Sequence, residues 1–237
     1  MRILITNDDG IEAPGLAVLH DIATQIAGSA DNVFTVAPAY EQSGVAHCIS
    51  YTDPMKIARF SDNKFSIEGS PADCVMAGLY EVLADKKPDL ILSGVNRGNN
   101  TSQNSMYSGT LGAAIEGAMH HIRSIALSQF MGPKCPDDDK FSAARAHGVQ
   151  VIRALLDHAP WHADPYELFY NVNFPPVAGD KVRGTRSVVQ GYRDSIPFST
   201  QPQVAPNGRK FLWITGGPHH APTAPGSDTH ANIEGYI

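Results

Sequence analysis

Cysteines, excess positive charge and long apolar runs are scarce or missing in this 237-residue sequence. The three cysteines form no C-x-x-C or Cys/His zinc pattern, so we expect free thiols in a reducing compartment at Cys48, Cys74 and Cys135. A formal net charge of −6 gives no general attraction to nucleic acid polymers or anionic membranes, and we expect neither as a partner. The first apolar run covers only Ile3 to Ile5 and no later run approaches a membrane span, which predicts a soluble, cytoplasmic protein.

Several catalytic motifs are missing as well. The sequence has no G-x-S-x-G elbow, Walker A loop or G-x-G-x-x-G fingerprint, so serine hydrolases, P-loop proteins and dinucleotide-binding proteins lose their main support. The pairs His120-His121 and His219-His220 lack H-E-x-x-H spacing and are expected at the surface or at helix ends. His47 follows a polar loop and is a better candidate, but its spacing assigns it no role.

Strands and helices alternate along the first part of the chain. Arg2–Thr6 and Asn32–Pro38 have the pattern of buried strands, and Pro14–Ala27 between them has the spacing of an amphipathic helix. This order predicts a βαβ unit and therefore an α/β fold with a parallel sheet. Further predicted elements are a hairpin around Ser61–Asn63, a helix over Ser70–Leu83, a strand over Pro88–Gly94, a helix from Ser108 with an apolar stripe at Leu111, Ile115 and Met119, a strand over Ser124–Phe130 and a helix over Phe141–His158.

Irregular, proline- and glycine-rich sequence follows Pro160. Strand-like runs lie within it at Leu168–Val172, Arg186–Tyr192 and Lys210–Ile214. We therefore expect an α/β catalytic core over residues 1–160 and a smaller β-rich extension over residues 161–237. The closing Ile-Glu-Gly-Tyr-Ile has the pattern of a strand that is beginning.

Oxygen-bearing side chains follow three of the predicted strands. The first strand ends in Asn7-Asp8-Asp9-Gly10, the second runs into APAYEQSG and the Pro88 strand ends in SGVNRGNN. Ligands of open parallel sheets bind beyond the carboxyl ends of the strands, and paired carboxylates with neutral oxygens suit Mg²⁺ or Mn²⁺. The alternative is that Asp8 and Asp9 only cap the turn and helix that follow them.

The segment Tyr107–Thr110, YSGT, is predicted at the start of a helix. Backbone N–H groups at a helix N-terminus, with nearby hydroxyls and a glycine that allows close approach, form a site for a phosphate dianion. The alternative is an ordinary Ser/Thr N-cap.

Four segments in this order, NDDGIEAPG, VAPAYEQSG, SGVNRGNN and YSGTLGAAIEGA, resemble the signature of the SurE family of stationary-phase survival proteins. The resemblance continues through GSPADCV, NVNFP and GSDTHANIEGY and covers nearly the whole chain. It implies a Rossmann-like, three-layer fold with an open, mainly parallel sheet. It also implies a metal-dependent phosphatase of nucleoside monophosphates that forms homodimers or homotetramers, with the β-rich C-terminal part contributing to assembly.

The resemblance implies one divalent cation, Mn²⁺ or Mg²⁺, in each subunit. Its expected ligands are Asp8, Asp9, Ser43 and Asn96, and the two aspartates are also the expected catalytic residues. Asn7 and Gly10 flank the aspartates and are expected to support them from behind.

Phosphate-binding residues are implied in the same way. They are Asn100, Ser108, Gly109 and Thr110. The expected reaction is hydrolysis of 5′-monophosphates, and of 3′-monophosphates as a second class, with Asp8 as the preferred acceptor of the proton from water. A nucleotide- and metal-binding sensor that releases no phosphate is the alternative function.

Two other families with acidic pairs fit less well. A receiver domain needs an aspartate at the end of its third strand, where this chain has Ser-Gly-Val-Asn, and a haloacid-dehalogenase-type phosphatase needs Asp-x-Asp, which NDDG lacks. Departures from the SurE pattern are Gln103–Met106, where acidic residues are usual, Ser70 in place of threonine and Cys48 in place of serine. Family members also continue beyond Gly-Tyr, so a shortened C-terminus is expected.

Overall fold

Strands and helices alternate along the part of the chain that the computed structural model describes, residues 1–194, 198–217, 221 and 223–237. His219 and His220, predicted at a surface or helix end, lie outside the described residues. The strands are β1 (Ile3–Thr6), β2 (Val33–Pro38), β3 (Ile57–Arg59), β4 (Lys64–Ile67), β5 (Leu90–Arg97), β6 (Ser124–Gln129), β7 (His162–Ala163), β8 (Tyr166–Glu167), β9 (Phe169–Phe174), β10 (Phe198–Val204) and β11 (Lys210–Gly216). The α-helices are α1 (Pro14–Ala27), α2 (Pro71–Ala77), α3 (Gly109–Met119), α4 (Ser142–His158) and α5 (Asp228–Ile233).

Seven of these strands form one sheet in the order β3-β4-β2-β1-β5-β6-β9. All neighbouring pairs are parallel except β3 and β4, which form the predicted antiparallel hairpin. The predicted α/β fold with an open, mainly parallel sheet is thus confirmed. Its central strands are buried on both faces because helices cover each face.

The two faces of the sheet bury alternate residues of each strand. Ile3 and Ile5 of β1 belong to the core that α1 and α4 cover, whereas Leu4 packs in a second core with α2. Each of these side chains is fully buried, a contribution of roughly 1.5–3 kcal/mol per residue. Helix α3 lies on the same side as α2, so the predicted three layers are present.

Local signals define where the helices begin. Ser70 and Asp73 form a capping box at the start of α2, with Pro71 in the first turn. Pro14 is the first residue of α1. Gly28 caps the C-terminus of this helix with a φ of +82°, a conformation that suits glycine. The predicted Ser70–Leu83 helix is split, because the α-helix passes at Gly78 into a π-helical turn that ends at Val82.

The C-terminal part differs from the prediction in three ways. Strand β9 extends the main sheet beyond β6, so the sheet crosses the predicted boundary at residue 160. The strand predicted at Arg186–Tyr192 is wrong: only Val189 forms a bridge, to Ser227, and the rest is held by loop contacts. The closing residues do not begin a strand, because Ile233 ends α5 and a turn follows it.

The β10–β11 hairpin is exposed. Its paired strands carry Phe211, Leu212, Trp213 and Ile214, each more than half accessible to solvent.

Cys48, Cys74 and Cys135 are free thiols, as predicted. No helix in the described part of the chain is long and apolar enough to cross a membrane.

Candidate active site

The Asp8–Asp9 pair lies in a tight loop at the carboxyl end of β1. The Asn7 side chain closes this loop, since its Nδ2 donates to the Gly10 carbonyl at 2.8 Å and its Oδ1 accepts from the Gly10 amide at 3.2 Å. Gly10 has φ +101°, a conformation that favours glycine. Asn7 and Gly10 therefore fix the backbone that carries both carboxylates.

The Asp8 carboxylate is buried against the first turn of α3. Its Oδ1 accepts from Thr110 Oγ1 at 2.8 Å and its Oδ2 from the Thr110 amide at 3.2 Å. Burial, and secondarily the charge of Asp9, raises the pKa of Asp8 to about 7. Ala13 begins α1 without a side-chain cap, so the aspartates do not cap the helix that follows them.

Asp9 lies between Asp8 and the end of β5. Its Oδ2 accepts from the Arg97 amide at 2.9 Å. Burial is the main cause that raises the pKa of Asp9, and the nearby Glu41 adds to it, while Arg97 opposes both. Two carboxylates on adjacent residues, one fully and one partly buried, thus lie close together. In the described structure neither of them forms an ion pair with a positively charged side chain.

The other two predicted metal ligands, Ser43 and Asn96, are each next in sequence to a residue that is hydrogen-bonded to one of the aspartates. Gln42, which precedes Ser43, donates its amide to the Asp8 carbonyl at 2.7 Å. Asn96 precedes Arg97 at a shift in the β5–β6 register, a local irregularity of the kind that redirects side chains near active sites. Ser43 Oγ donates to Glu41 at 2.8 Å and Asn96 Nδ2 donates to the Gly98 carbonyl at 3.0 Å.

The predicted phosphate segment is the N-terminus of α3. Ser108 is its N-cap and accepts from the Leu111 amide at 3.1 Å. The Thr110 amide is bonded to Asp8, and no acceptor for the Gly109 amide is present among the residues that the structure describes. A Cβ at position 109 would lie 3.0 Å from the Asp8 Cβ, so glycine allows α3 to approach the carboxylate.

Asn100 lies beside the same helix turn in a buried network. Its Nδ2 donates to Thr110 Oγ1 at 3.2 Å and to Ser128 Oγ at 2.8 Å. Its backbone is held by Asn173, which accepts from the Asn100 amide, and by Asn171, which donates to the Asn100 carbonyl, both at 2.8 Å. No local pattern predicts these supporting roles, although Asn171 and Asn173 belong to the NVNFP segment.

The donor set fits a hard divalent cation. Asp8, Asp9, Ser43 and Asn96 offer carboxylate, hydroxyl and amide oxygens, and a cation would favour the charged form of two carboxylates whose pKa values are raised mainly by burial. No cluster of three His, Cys, Asp or Glu side chains suited to a metal occurs within residues 1–194, 198–217, 221 and 223–237.

Comparisons with known proteins identify the family to which this chain belongs. Residues 3–196 match the family described as survival protein SurE. Proteins named 5′-nucleotidase SurE from Roseobacter denitrificans and Ruegeria pomeroyi are 59% and 58% identical over all of this chain and 91% and 92% of their own lengths. The crystal structure of the SurE protein from Aquifex aeolicus has a TM-score of 0.78 at 32% identity, covering 100% of this chain and 90% of that one. This chain belongs to the SurE family.

Proposed function

We propose that this protein is a divalent-metal-dependent 5′-nucleotidase, a phosphomonoesterase that converts nucleoside 5′-monophosphates, and 3′-monophosphates as a second class, to nucleoside and phosphate. The observation that carries the proposal is the buried Asp8 carboxylate beside Asp9 at the N-terminus of α3. A helix N-terminus next to two carboxylates that form no ion pair in the described structure suits a cation and a phosphate together. The names of the relatives from Roseobacter denitrificans and Ruegeria pomeroyi support the same reaction.

One cation in each subunit, Mn²⁺ or Mg²⁺, would be held by Asp8, Asp9, Ser43 and Asn96. When bound, it would polarise a phosphoryl oxygen and acidify a water molecule. Asn7 holds the backbone of the aspartate loop, so the two carboxylates are oriented before the ligand arrives.

The chain itself supplies the remaining parts of the hydrolysis. The Gly109 amide and the dipole of α3 would bind the phosphoryl oxygens, while Ser108 caps the helix by accepting from the Leu111 amide. As water attacks phosphorus and the ester P–O bond breaks, an aspartate, Asp8 by preference, accepts the proton that the nucleoside oxygen finally receives. The Asn100 side chain donates to Thr110 Oγ1 and to Ser128 Oγ, so both of its N–H groups are used within the protein. Asn100 therefore holds Thr110 in place.

Phosphate release from 5′- and 3′-nucleotides, with Mn²⁺, with Mg²⁺ and with EDTA, tests this proposal. We expect turnover with metal, loss with EDTA, and at least a hundredfold lower kcat in Asp8→Asn, in the range found for electrostatic catalytic groups. Asp157→Asn, an exposed carboxylate on α4, is the matched control and should behave as wild type. Turnover that survives EDTA, or that Asp8→Asn leaves unchanged, would contradict the proposal.

The sensor alternative makes a different prediction for the same samples. A sensor would bind nucleotide with metal, measured by calorimetry, but release no phosphate under any condition. Binding without release would therefore replace the enzymatic proposal with the sensor.

We also propose that the protein is a homodimer or homotetramer, in which the exposed β10–β11 hairpin is covered by another copy. The neighbouring apolar side chains Phe211–Ile214 support this, because apolar patches of this kind are uncommon on monomers.

A further inference from the structure

Ser43 lies in a long irregular segment. Residues 39–56 connect β2 to β3 and contain no helix or strand. Ser43 itself is exposed, and among the described residues its side chain is hydrogen-bonded within the segment, to Glu41. The distance of Ser43 from Asp8 and Asp9 therefore depends on the contacts that hold this segment to the rest of the molecule.

Residues 45–47 pack on the first half of α3. The Ala46 amide donates to the Tyr107 carbonyl at 3.1 Å, and a Cβ at Gly112 would clash with the Ala46 carbonyl oxygen. Ala46 has φ +53°, a left-handed conformation that is unfavourable for a residue other than glycine. Such a conformation persists only where neighbouring contacts hold it, and the next residue, His47, makes such a contact.

His47 joins the segment to a buried carboxylate of α3. Its Nε2 lies 2.6 Å from Oε2 of Glu116, whose side chain is only 8% exposed. The other oxygen of Glu116 is 2.9 Å from His120 Nε2, and the Tyr80 hydroxyl lies 3.2 Å from His120 Nδ1, within hydrogen-bond distance. Because His120 and Tyr80 orient the carboxylate from behind, Glu116 presents a fixed acceptor to His47.

We propose that the His47–Glu116 pair positions the Ser43 segment for cation binding, an inference that rests on the proposed function. His47 and Glu116 are positioning residues, which act on the metal through Ser43. Without the pair, Gln42 would stay bonded to the Asp8 carbonyl and Ala46 to the Tyr107 carbonyl, but the residues between Ser43 and Ser50 would gain conformational freedom. Ordering them when the cation binds would cost entropy and weaken the affinity. The far end would stay attached, because Ser50 donates its amide to Asp73 Oδ1 at 2.9 Å and its hydroxyl to Asp73 Oδ2 at 2.7 Å.

Mn²⁺ affinity, measured by calorimetry on the full chain, tests the inference without relying on turnover. We expect His47→Ala to weaken Mn²⁺ binding about tenfold, the lower end of the effect of residues that support metal ligands. His47→Gln keeps an N–H donor of similar reach and should recover most of the affinity. In nucleotide hydrolysis, the loss in His47→Ala should disappear at saturating Mn²⁺, which leaves kcat near that of wild type.

His158→Ala is the matched control, because it removes an exposed imidazole at the end of α4 and touches neither Glu116 nor residues 43–48. It should leave Mn²⁺ affinity unchanged. Equal affinities in wild type and His47→Ala, with weaker binding in Ser43→Ala, would contradict the inference alone. Absence of Mn²⁺ binding in the wild type would contradict the proposed function and this inference with it.

Discussion

The two aspartates at the end of β1 hold like charges close together in a buried loop. Burial raises the pKa of each, and the charge of Asp9 adds to the effect on Asp8. Protein groups fix the carboxylates by hydrogen bonds from the Thr110 side chain and amide and from the Arg97 amide, but these donors are neutral. At the scale of single residues, the loop therefore holds two carboxylates together at a cost in stability, and the proposed cation would offset that cost.

Removing the charge of Asp9 should stabilise the metal-free protein but weaken its stabilisation by Mn²⁺. Asp9→Asn keeps an oxygen for the Arg97 amide but relieves the repulsion, so we expect the metal-free protein to gain about 1 kcal/mol, allowing for solvent screening at the partly exposed Asp9. Wild type should be stabilised by Mn²⁺, and the variant much less. Thermal unfolding with EDTA and with Mn²⁺ measures both effects. A less stable variant in EDTA would show that the repulsion is not significant.

Helix α3 packs against the sheet through small residues instead of through the larger side chains of the predicted apolar stripe. The predicted stripe ended at Met119, which is 62% exposed. The sheet is instead covered by small residues, among them Ala113, Ala114 and Gly117. Small residues let the helix backbone approach the sheet, and this brings its N-terminus to Asp8.

Adding one methyl group at the sheet side of α3 should move the helix. A Cβ at Gly117 would clash with Ser124 Oγ and lie 2.7 Å from Ile91 Cδ1. We expect Gly117→Ala to lower the free energy of unfolding by about 1–3 kcal/mol, although alanine is the better helix former. Chemical denaturation measures the change, with Met119→Ala on the exposed side as the control. If Gly117→Ala were as stable as wild type, the close packing would not constrain the helix.

Individual elements were predictable where one local signal dominates. Strands β1 and β5 follow from short apolar runs, α1 from its spacing and Pro14, and the start of α2 from Ser70. The run at Arg186–Tyr192 also contains β-branched and aromatic residues, but it contacts the start of α5 at Ser227 and Asp228 instead of a strand, which local pattern does not reveal. The bond between Asp8 and Thr110 joins residues 102 positions apart, so no sequence window contains it.

At the scale of the whole molecule, the C-terminal residues secure the loop that follows β5. Arg193 is 4% exposed and donates to Thr101 Oγ1 at 2.8 Å and to Thr229 Oγ1 at 3.2 Å. Asp228 also binds the Ser102 amide, at 2.9 Å. The predicted separation of a core and an extension misses this contact, which reaches the residue next to Asn100.

Loss of the Arg193 guanidinium should loosen this loop. Arg193→Met keeps much of the volume but leaves Thr101 without its charged donor, so we expect a loss of about 2–3 kcal/mol in the free energy of unfolding. Hydrogen exchange at residues 99–104 should increase in the same variant. Arg209→Met, on the exposed hairpin, is the control. Unchanged exchange in Arg193→Met would mean that the loop does not depend on the C-terminal residues.

The oligomeric state of a variant tests whether another copy of the chain covers the exposed β10–β11 hairpin. If another copy covers it, the double change Leu212→Ser and Ile214→Ser should lower the molar mass in sedimentation equilibrium to that of a smaller oligomer or the 25.5 kDa chain. A wild type that already sediments as a monomer, or a double variant of unchanged mass, would contradict the proposed assembly through this hairpin.

The central claim, that Asp8 and Asp9 hold a catalytic divalent cation, is tested most directly by anomalous diffraction from crystals of the active enzyme soaked in Mn²⁺. We predict an anomalous peak bonded to both carboxylates, with the Ser43 and Asn96 side chains within coordination distance, and no such peak in Asp8→Asn. Bound manganese found only elsewhere, in crystals of an enzyme that hydrolyses nucleotides, would contradict the claim.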